Sequence, residues 1–311
     1  MVDVDTFHRY VAIGDSATEG LEDLDPRGGY RGWADRLAMI LSAHAQAEGA
    51  TDPVLYANLA LRGQIVSEVR TLQFDQALAM APDLLTITGG VNDCLGLNPD
   101  FDAIRQHLAV MFSEARGAGM TVMTLGMPDP TTINPLGGRL ARDRILRLNQ
   151  VLRTECERYE VLLLDLEQFP VAADPRLWFE DRLHGNALGH ERVARGMAWL
   201  LGLPGFDDWA EPLPDDLDED IARERAEHTG DLPAPAPGPF PLHSERLGHL
   251  ALEAQEWRER VAGDWEWARR HFGPWLSRGI RGIRHDQGLV AKRPELTPVE
   301  LADEFSERDE S

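Results

Sequence analysis

The sequence predicts an α/β protein of flavodoxin-like architecture: a three-layer α/β/α domain with a five-stranded parallel sheet, followed by a C-terminal helical extension. Three observations carry this. Strand-like and helix-like stretches alternate from residue 9 to about residue 202. Several strand-like stretches are apolar almost throughout, as strands covered on both faces are. Alternation of this kind, joined by right-handed crossovers, folds as a doubly wound sheet, and 43 % hydrophobic residues in 311 suffice for a large core.

The first strand is read over 10–13, where Tyr10-Val11-Ala12-Ile13 ends abruptly in Gly14-Asp15-Ser16. Later strands are expected over 54–58, 84–88, 121–125 and 161–164, with helices over 32–44, 65–80, 101–116 and 139–158 between them. A last helix over 187–201 carries Leu188, Val193, Ala194, Met197, Ala198 and Leu201 near helical spacing. Asn186 is its expected N-cap and Gly202 its C′ residue. These elements make a first domain of residues 1–205.

Composition changes after Gly205. Residues 207–220 hold eight acids and no base, and Pro233 to Pro239 alternates proline with small residues, so 206–243 reads as an acidic, Pro-rich linker. In the extension, 244–311, Leu247, Leu250, Ala251, Ala254, Trp257, Val261, Trp265, Ala268 and Phe272 fall on one side of a helix. Thr297-Pro298-Val299-Glu300 fits a capping box opening another. Such an apolar stripe needs a cover, either the first domain or a second copy of the chain, so a homo-oligomer through this helix is one expectation. In the docked alternative Arg278, Arg281, Arg284, Lys292 and Arg293 would meet the acidic domain.

Charge excludes some partners. With 31 Lys and Arg against 53 Asp and Glu, the formal charge is −22, which disfavours nucleic acid and anionic membranes. The N-terminus is acidic and lacks the apolar region of a secretory signal, and no apolar run reaches membrane-spanning length. A cytoplasmic protein is expected, with Cys94 and Cys156 as reduced thiols.

Chemistry concentrates at the strand ends, where open α/β sheets place ligands. Ser16 follows the first strand, although Asp15, Ser16 and Thr18 also suit a helix cap. The second strand leads into Asn58-Leu59-Ala60-Leu61-Arg62-Gly63, and the third into Gly89-Gly90-Val91-Asn92-Asp93. After the fifth comes Asp181-Arg182-Leu183-His184, whose three-residue offset in a helical turn would put both side chains on one side. His184 is then placed to take a proton from Ser16 while Asp181 sets its tautomer. A metal site from Asp181, His184 and His190 lacks a further acid. The G-x-S-x-G elbow of α/β-hydrolases is not met, because Thr18 occupies its last glycine.

Taken in chain order, these four blocks resemble the SGNH, or GDSL-type, serine hydrolases over residues 8–202. The resemblance implies Ser16 as nucleophile, His184 as general base and then acid, and Asp181 as its orienting partner. It implies an oxyanion hole from the Ser16 N–H, the Gly63 N–H and the Asn92 side-chain amide. The reaction the resemblance implies is ester hydrolysis through an acyl-enzyme; no cofactor or metal is expected, and the expected partner is a small-molecule ester. Two positions depart from the family pattern: Arg182 stands where glycine is frequent, and Gly185 where proline is common. Loops 22–31, 94–100 and 127–138 mix Gly, Pro and charge without a deep apolar tunnel, which favours short acyl groups; Asp129, Asn134 and Arg139 are candidates to touch the alcohol part. Two alternatives stay open at this level: acyl transfer from the same site, and a non-catalytic scaffold that keeps the fold.

Overall fold

Strand β1 (Arg9–Ile13) lies inside the sheet because its side chains are apolar on both faces. The computed structural model describes residues 7–25, 29–96, 98–134, 137–214 and 289–301. After β1 come α1 (Ser16–Glu19), α2 (Gly32–Ala47) and β2 (Leu55–Asn58). An irregular helical stretch follows: α3 (Val66–Glu68), a π-helical turn (Val69–Phe74) and α4 (Asp75–Ala79). The chain continues through β3 (Leu84–Ile87), α5 (Val91–Leu95), α6 (Phe101–Gly117), β4 (Thr121–Gly126), α7 (Pro130–Ile133), α8 (Gly137–Tyr159) and β5 (Leu162–Asp165). Three short 3-10 turns lead to α9 (Ala187–Leu201), capped as expected by Asn186 accepting from the Gly189 N–H at 3.0 Å and closed by Gly202 at φ +86°.

The five parallel strands run in the order β5-β4-β3-β1-β2. The period-two alternation of a strand divides the core into two layers. Val11 and Ile13 face Val69, Phe74, Ile104, Phe112 and Leu148. Tyr10 and Ala12 face Trp33, Leu37, Leu41, Met197 and Leu201. All five parallel strands therefore aim their carboxyl ends at one edge.

Two expectations are corrected. The sheet has a sixth strand, β6 (Arg293–Pro298), antiparallel to β2 at the edge. Thr297 and Pro298 belong to this strand and start no helix. The Thr297 hydroxyl accepts from Arg293 Nε at 2.6 Å instead of capping, and an edge strand tolerates Pro294 and Pro298 because it needs no outward N–H. The acidic stretch also begins folded: Asp207–Ala210 is a 3-10 turn whose Trp209 is 2 % exposed, its ring 4.5 Å from Phe169. Leu213 is buried as well. Aromatic burial outweighs the local acidity that suggested a solvated linker. The proline-rich run at 233–239 and the apolar helix expected over 244–272 lie outside the described residues, as do Arg278, Arg281 and Arg284. Among the described residues no helix is long and apolar enough to cross a membrane.

Cys94 and Cys156 are free and buried, and burial pushes both thiols up to about 12. At neutral pH neither is a thiolate nucleophile.

Candidate active site

The turn after β1 is built on Gly14. Its φ is +154°, and an added Cβ would lie 2.2 Å from the Thr88 hydroxyl oxygen and 2.8 Å from that of Thr18, so a side chain cannot be accommodated without displacing these groups. The Gly14 N–H donates to Gln73 Oε1 at 2.8 Å, and Gln73 Nε2 donates to the Gly14 carbonyl at 2.8 Å. A buried side-chain amide thus replaces a strand partner where the backbone leaves the sheet. Asp15 caps α1 by accepting from the Ala17 N–H at 3.1 Å, and burial raises its carboxyl pKa. Ser16 is consequently the first residue of α1, half-buried at the carboxyl edge.

The Asp–His block forms a tight hairpin-like turn, not the helical turn anticipated. Trp178 bridges Gly185, with the Phe179 N–H donating to the His184 carbonyl at 2.8 Å. Asp181 Oδ1 accepts from the backbone N–H groups of Leu183 and His184, each at 3.0 Å. Its Oδ2 lies 2.6 Å from His184 Nδ1, and His184 Nε2 lies 2.9 Å from Ser16 Oγ across 168 residues of chain. Burial alone would raise the Asp181 pKa, but the His184 hydrogen bond and charge, with the two backbone donors, outweigh it and hold the carboxyl below its ordinary range. An ionised Asp181 accepts the Nδ1 proton, which leaves Nε2 as the acceptor facing Ser16. Arg182 sits at φ +54°, the left-handed region that favours glycine.

The other two blocks are stitched to the same place. Asn92 Nδ2 donates to the Gln64 carbonyl at 3.0 Å and to Asp15 Oδ2 at 3.3 Å. Asp93 Oδ2 accepts from the Val66 N–H at 3.1 Å, and burial pushes the Asp93 carboxyl up to about 6. Asn58 Nδ2 donates to the Thr18 carbonyl at 2.8 Å. Gly63 turns at φ +80° in the loop so held. The Glu19 carboxylate, at the end of α1, accepts from the Arg62 N–H at 2.8 Å and pairs with the Arg62 guanidinium. Gln73 carried no signal in the sequence, because it looks locally like an ordinary helix residue, and the pairing of Glu19 with Arg62 joins two blocks that no local pattern connects.

Some candidates fall elsewhere. His190 is a core residue: Nδ1 accepts from the Trp33 N–H at 3.2 Å and Nε2 donates to the Leu21 carbonyl at 3.0 Å. Burial lowers its pKa to about 4, so it is neutral at pH 7 and both ring nitrogens are committed. Asp129 caps α7 and pairs with Arg142 at 2.8 Å, and Asn134 accepts from the Gly137 N–H at 3.0 Å. Both therefore have structural partners. A narrow apolar cavity of about 70 Å³ adjoins Ala17 and His184, lined further by Trp33, Leu177, Trp178 and Val193.

A hydroxyl, an imidazole and a carboxylate in one hydrogen-bonded line, at the ligand-binding edge of a doubly wound sheet, define the class of acyl-cleaving hydrolases. The chain belongs to the GDSL-like lipase/acylhydrolase family, whose model matches residues 12–192, and this places it among the ester hydrolases. Among solved structures it is similar to Axe2, an acetylxylan esterase from Geobacillus stearothermophilus, at 18 % identity and a TM-score of 0.52, covering 66 % of this chain and 96 % of that one. A variant of the same Geobacillus stearothermophilus enzyme with one tryptophan replaced matches at 18 % identity and a TM-score of 0.51, over 63 % of this chain and 95 % of that one. These likenesses concern the fold. No curated protein sequence matches the chain.

Proposed function

We propose that this protein is a serine esterase that hydrolyses carboxylic esters of short acyl chains through an acyl-enzyme. The observation that carries the reading is the unbroken line Ser16 Oγ–His184 Nε2–His184 Nδ1–Asp181 Oδ2, at 2.9 and 2.6 Å. In the first step Ser16 Oγ attacks the ester carbonyl carbon while its proton passes to His184 Nε2. The C–O bond to the alcohol then breaks, and the same proton leaves on the alcohol oxygen. Water repeats the sequence on the acyl-serine, giving the acid and restoring Ser16. Asp181 stays ionised throughout and stabilises the transient imidazolium.

The oxyanion is assigned to the backbone N–H groups of Ser16 and Gly63 and the side-chain amide of Asn92. Both Asn92 amide hydrogens have acceptors in the resting protein, and the longer bond, to Asp15, is the one to be exchanged for the oxyanion. Asn92→Ala is expected to lower kcat on an aryl acetate by about 10²–10³-fold, the usual loss for one oxyanion donor. Stopped assays of the purified variant beside wild type check this, and a loss below about threefold would remove Asn92 from the hole.

Short acyl groups are supported by the small apolar cavity of about 70 Å³ beside His184. The test is reaction with a fluorophosphonate, with the adduct mapped by mass spectrometry, followed by a chain-length series of aryl esters. One adduct on Ser16 and a kcat/KM maximum at the shortest esters are expected. Turnover without a Ser16 adduct, or a maximum at long chains, would refute the corresponding part.

A further inference from the structure

We infer that Lys292, at the start of the C-terminal strand β6, is a positioning residue that holds the nucleophile helix and the Gly63 loop in their reactive arrangement. The inference rests on the esterase reading above. Lys292 lies far outside the family match, 273 residues from Glu19, yet its ammonium reaches the helix that carries Ser16. Nζ has four acceptors within hydrogen-bond distance, shared among its three donors: the backbone carbonyls of Glu19 at 2.6 Å, Tyr30 at 3.1 Å and Arg31 at 2.7 Å, and the Asp35 carboxylate.

This cluster of acceptors has a structural cause. The segment after α1 returns to the start of α2 through a backbone crossing at Gly20 and Gly32. A Cβ on Gly20 would lie 2.6 Å from Gly32 Cα, and both glycines have positive φ. Crossing backbones this closely gathers carbonyl oxygens, including one at the unsatisfied C-terminal end of α1, and their like partial charges repel. A cation relieves that repulsion. Burial pushes Asp35 up to about 6 against the pull of Lys292, so its carboxylate is favoured at pH 7 with the ammonium as its partner.

Lys292 is also held from its own side. The Val299 N–H donates to the Val54 carbonyl at 2.9 Å, Val299 is buried, and the Arg293 guanidinium lies 5.2 Å from the Tyr56 ring centroid. Gln76 Nε2 donates to the Pro294 carbonyl at 3.0 Å. From this anchor the contact passes to Glu19. Lys292 grips the Glu19 carbonyl while Arg62, the residue before Gly63, grips the Glu19 carboxylate. One residue therefore joins the last turn of α1, whose first residue is Ser16, to the loop that presents Gly63. Displacements near 1 Å at such a site cost about 10²-fold in rate.

The test uses the full chain carrying Lys292→Met, which keeps the stem without the charge, and Lys292→Ala. The readouts are the rate constant for fluorophosphonate labelling of Ser16, kcat and KM for an aryl acetate, and the melting curve. Both variants are expected to label and turn over at least about tenfold more slowly, with KM within about threefold, at a temperature where each is folded. Ethylammonium is expected to restore part of the rate of Lys292→Ala and to leave wild type unchanged. Rates within about twofold of wild type, or a fully active Met variant beside an impaired Ala variant, would overturn the inference. Should Lys292→Ala be unfolded, Lys292→Met decides alone, and labelling of the folded Met variant at the wild-type rate would overturn the inference equally. Wild type that takes no label on Ser16 brings down the esterase reading itself, whereas normal wild-type labelling matched by the variants removes only the role of Lys292.

Discussion

Alanine at position 16 is expected to lower ester turnover by about 10⁴–10⁶-fold while leaving the melting temperature close to wild type. The loss is large because neither thiol can take over. The Ser16 hydroxyl stands in line with His184 Nε2 at 2.9 Å, whereas both cysteines are buried with thiols pushed up to about 12. The fold survives because Ser16 does not cap its own helix. Asp15 does that, through the Ala17 N–H, and Gly14 is anchored by Gln73. Kinetics on a short aryl ester, fluorophosphonate labelling and a thermal melt check all parts together. A folded Ser16→Ala protein that retains near-normal turnover contradicts the serine mechanism outright.

Asp181→Asn is the second large effect, about 10⁴-fold in kcat. The substitution preserves the shape of the turn, since the amide oxygen can still accept from the Leu183 and His184 N–H groups. What changes is the proton on the ring. An amide N–H aimed at His184 Nδ1 demands that this nitrogen accept, which places the proton on Nε2, where it faces Ser16 and blocks base catalysis. The variant should therefore bind substrate with similar KM and turn it over slowly. A fall in kcat of less than about tenfold would show that Asp181 does not set the tautomer.

The same substitution has a pH signature in stability. The folded-state pKa of Asp181 is lowered by His184 and the two backbone donors despite burial. A lowered folded pKa means the unfolded state binds more protons, so the stabilisation is complete above the unfolded value near 3.8 and disappears as pH falls through the folded pKa. The gap in melting temperature between wild type and Asp181→Asn should accordingly be widest at neutral pH and narrow in acid.

The parallel part of the fold is legible along the chain. Apolar runs covered on both faces, separated by helical periodicity, locate the first five strands, and Asn186 and Gly202 bound the last helix at the positions observed. The catalytic candidates are legible for a related reason: parallel strands must all end at the same edge, so residues just past those ends converge whatever the loops do. The Asp–His turn is ambiguous in detail, because an offset of three fits both a helical turn and the two-sided hairpin turn that forms.

From its order of residues alone this protein was determined to be a doubly wound α/β domain with Ser16, Asn92, Asp181 and His184 at one edge. That is so because periodicity and turn chemistry are local properties, and strand direction converts them into a common location. The tertiary structure alone decided that residues 293–298 complete the sheet, that Gln73 substitutes for a strand beside Gly14, and that Lys292 fills a ring of carbonyls near the nucleophile. Each of these joins groups 59 to 273 residues apart. A hydrogen bond over such a span depends on where two backbones pass each other, and no short window of residues contains both sides of that meeting.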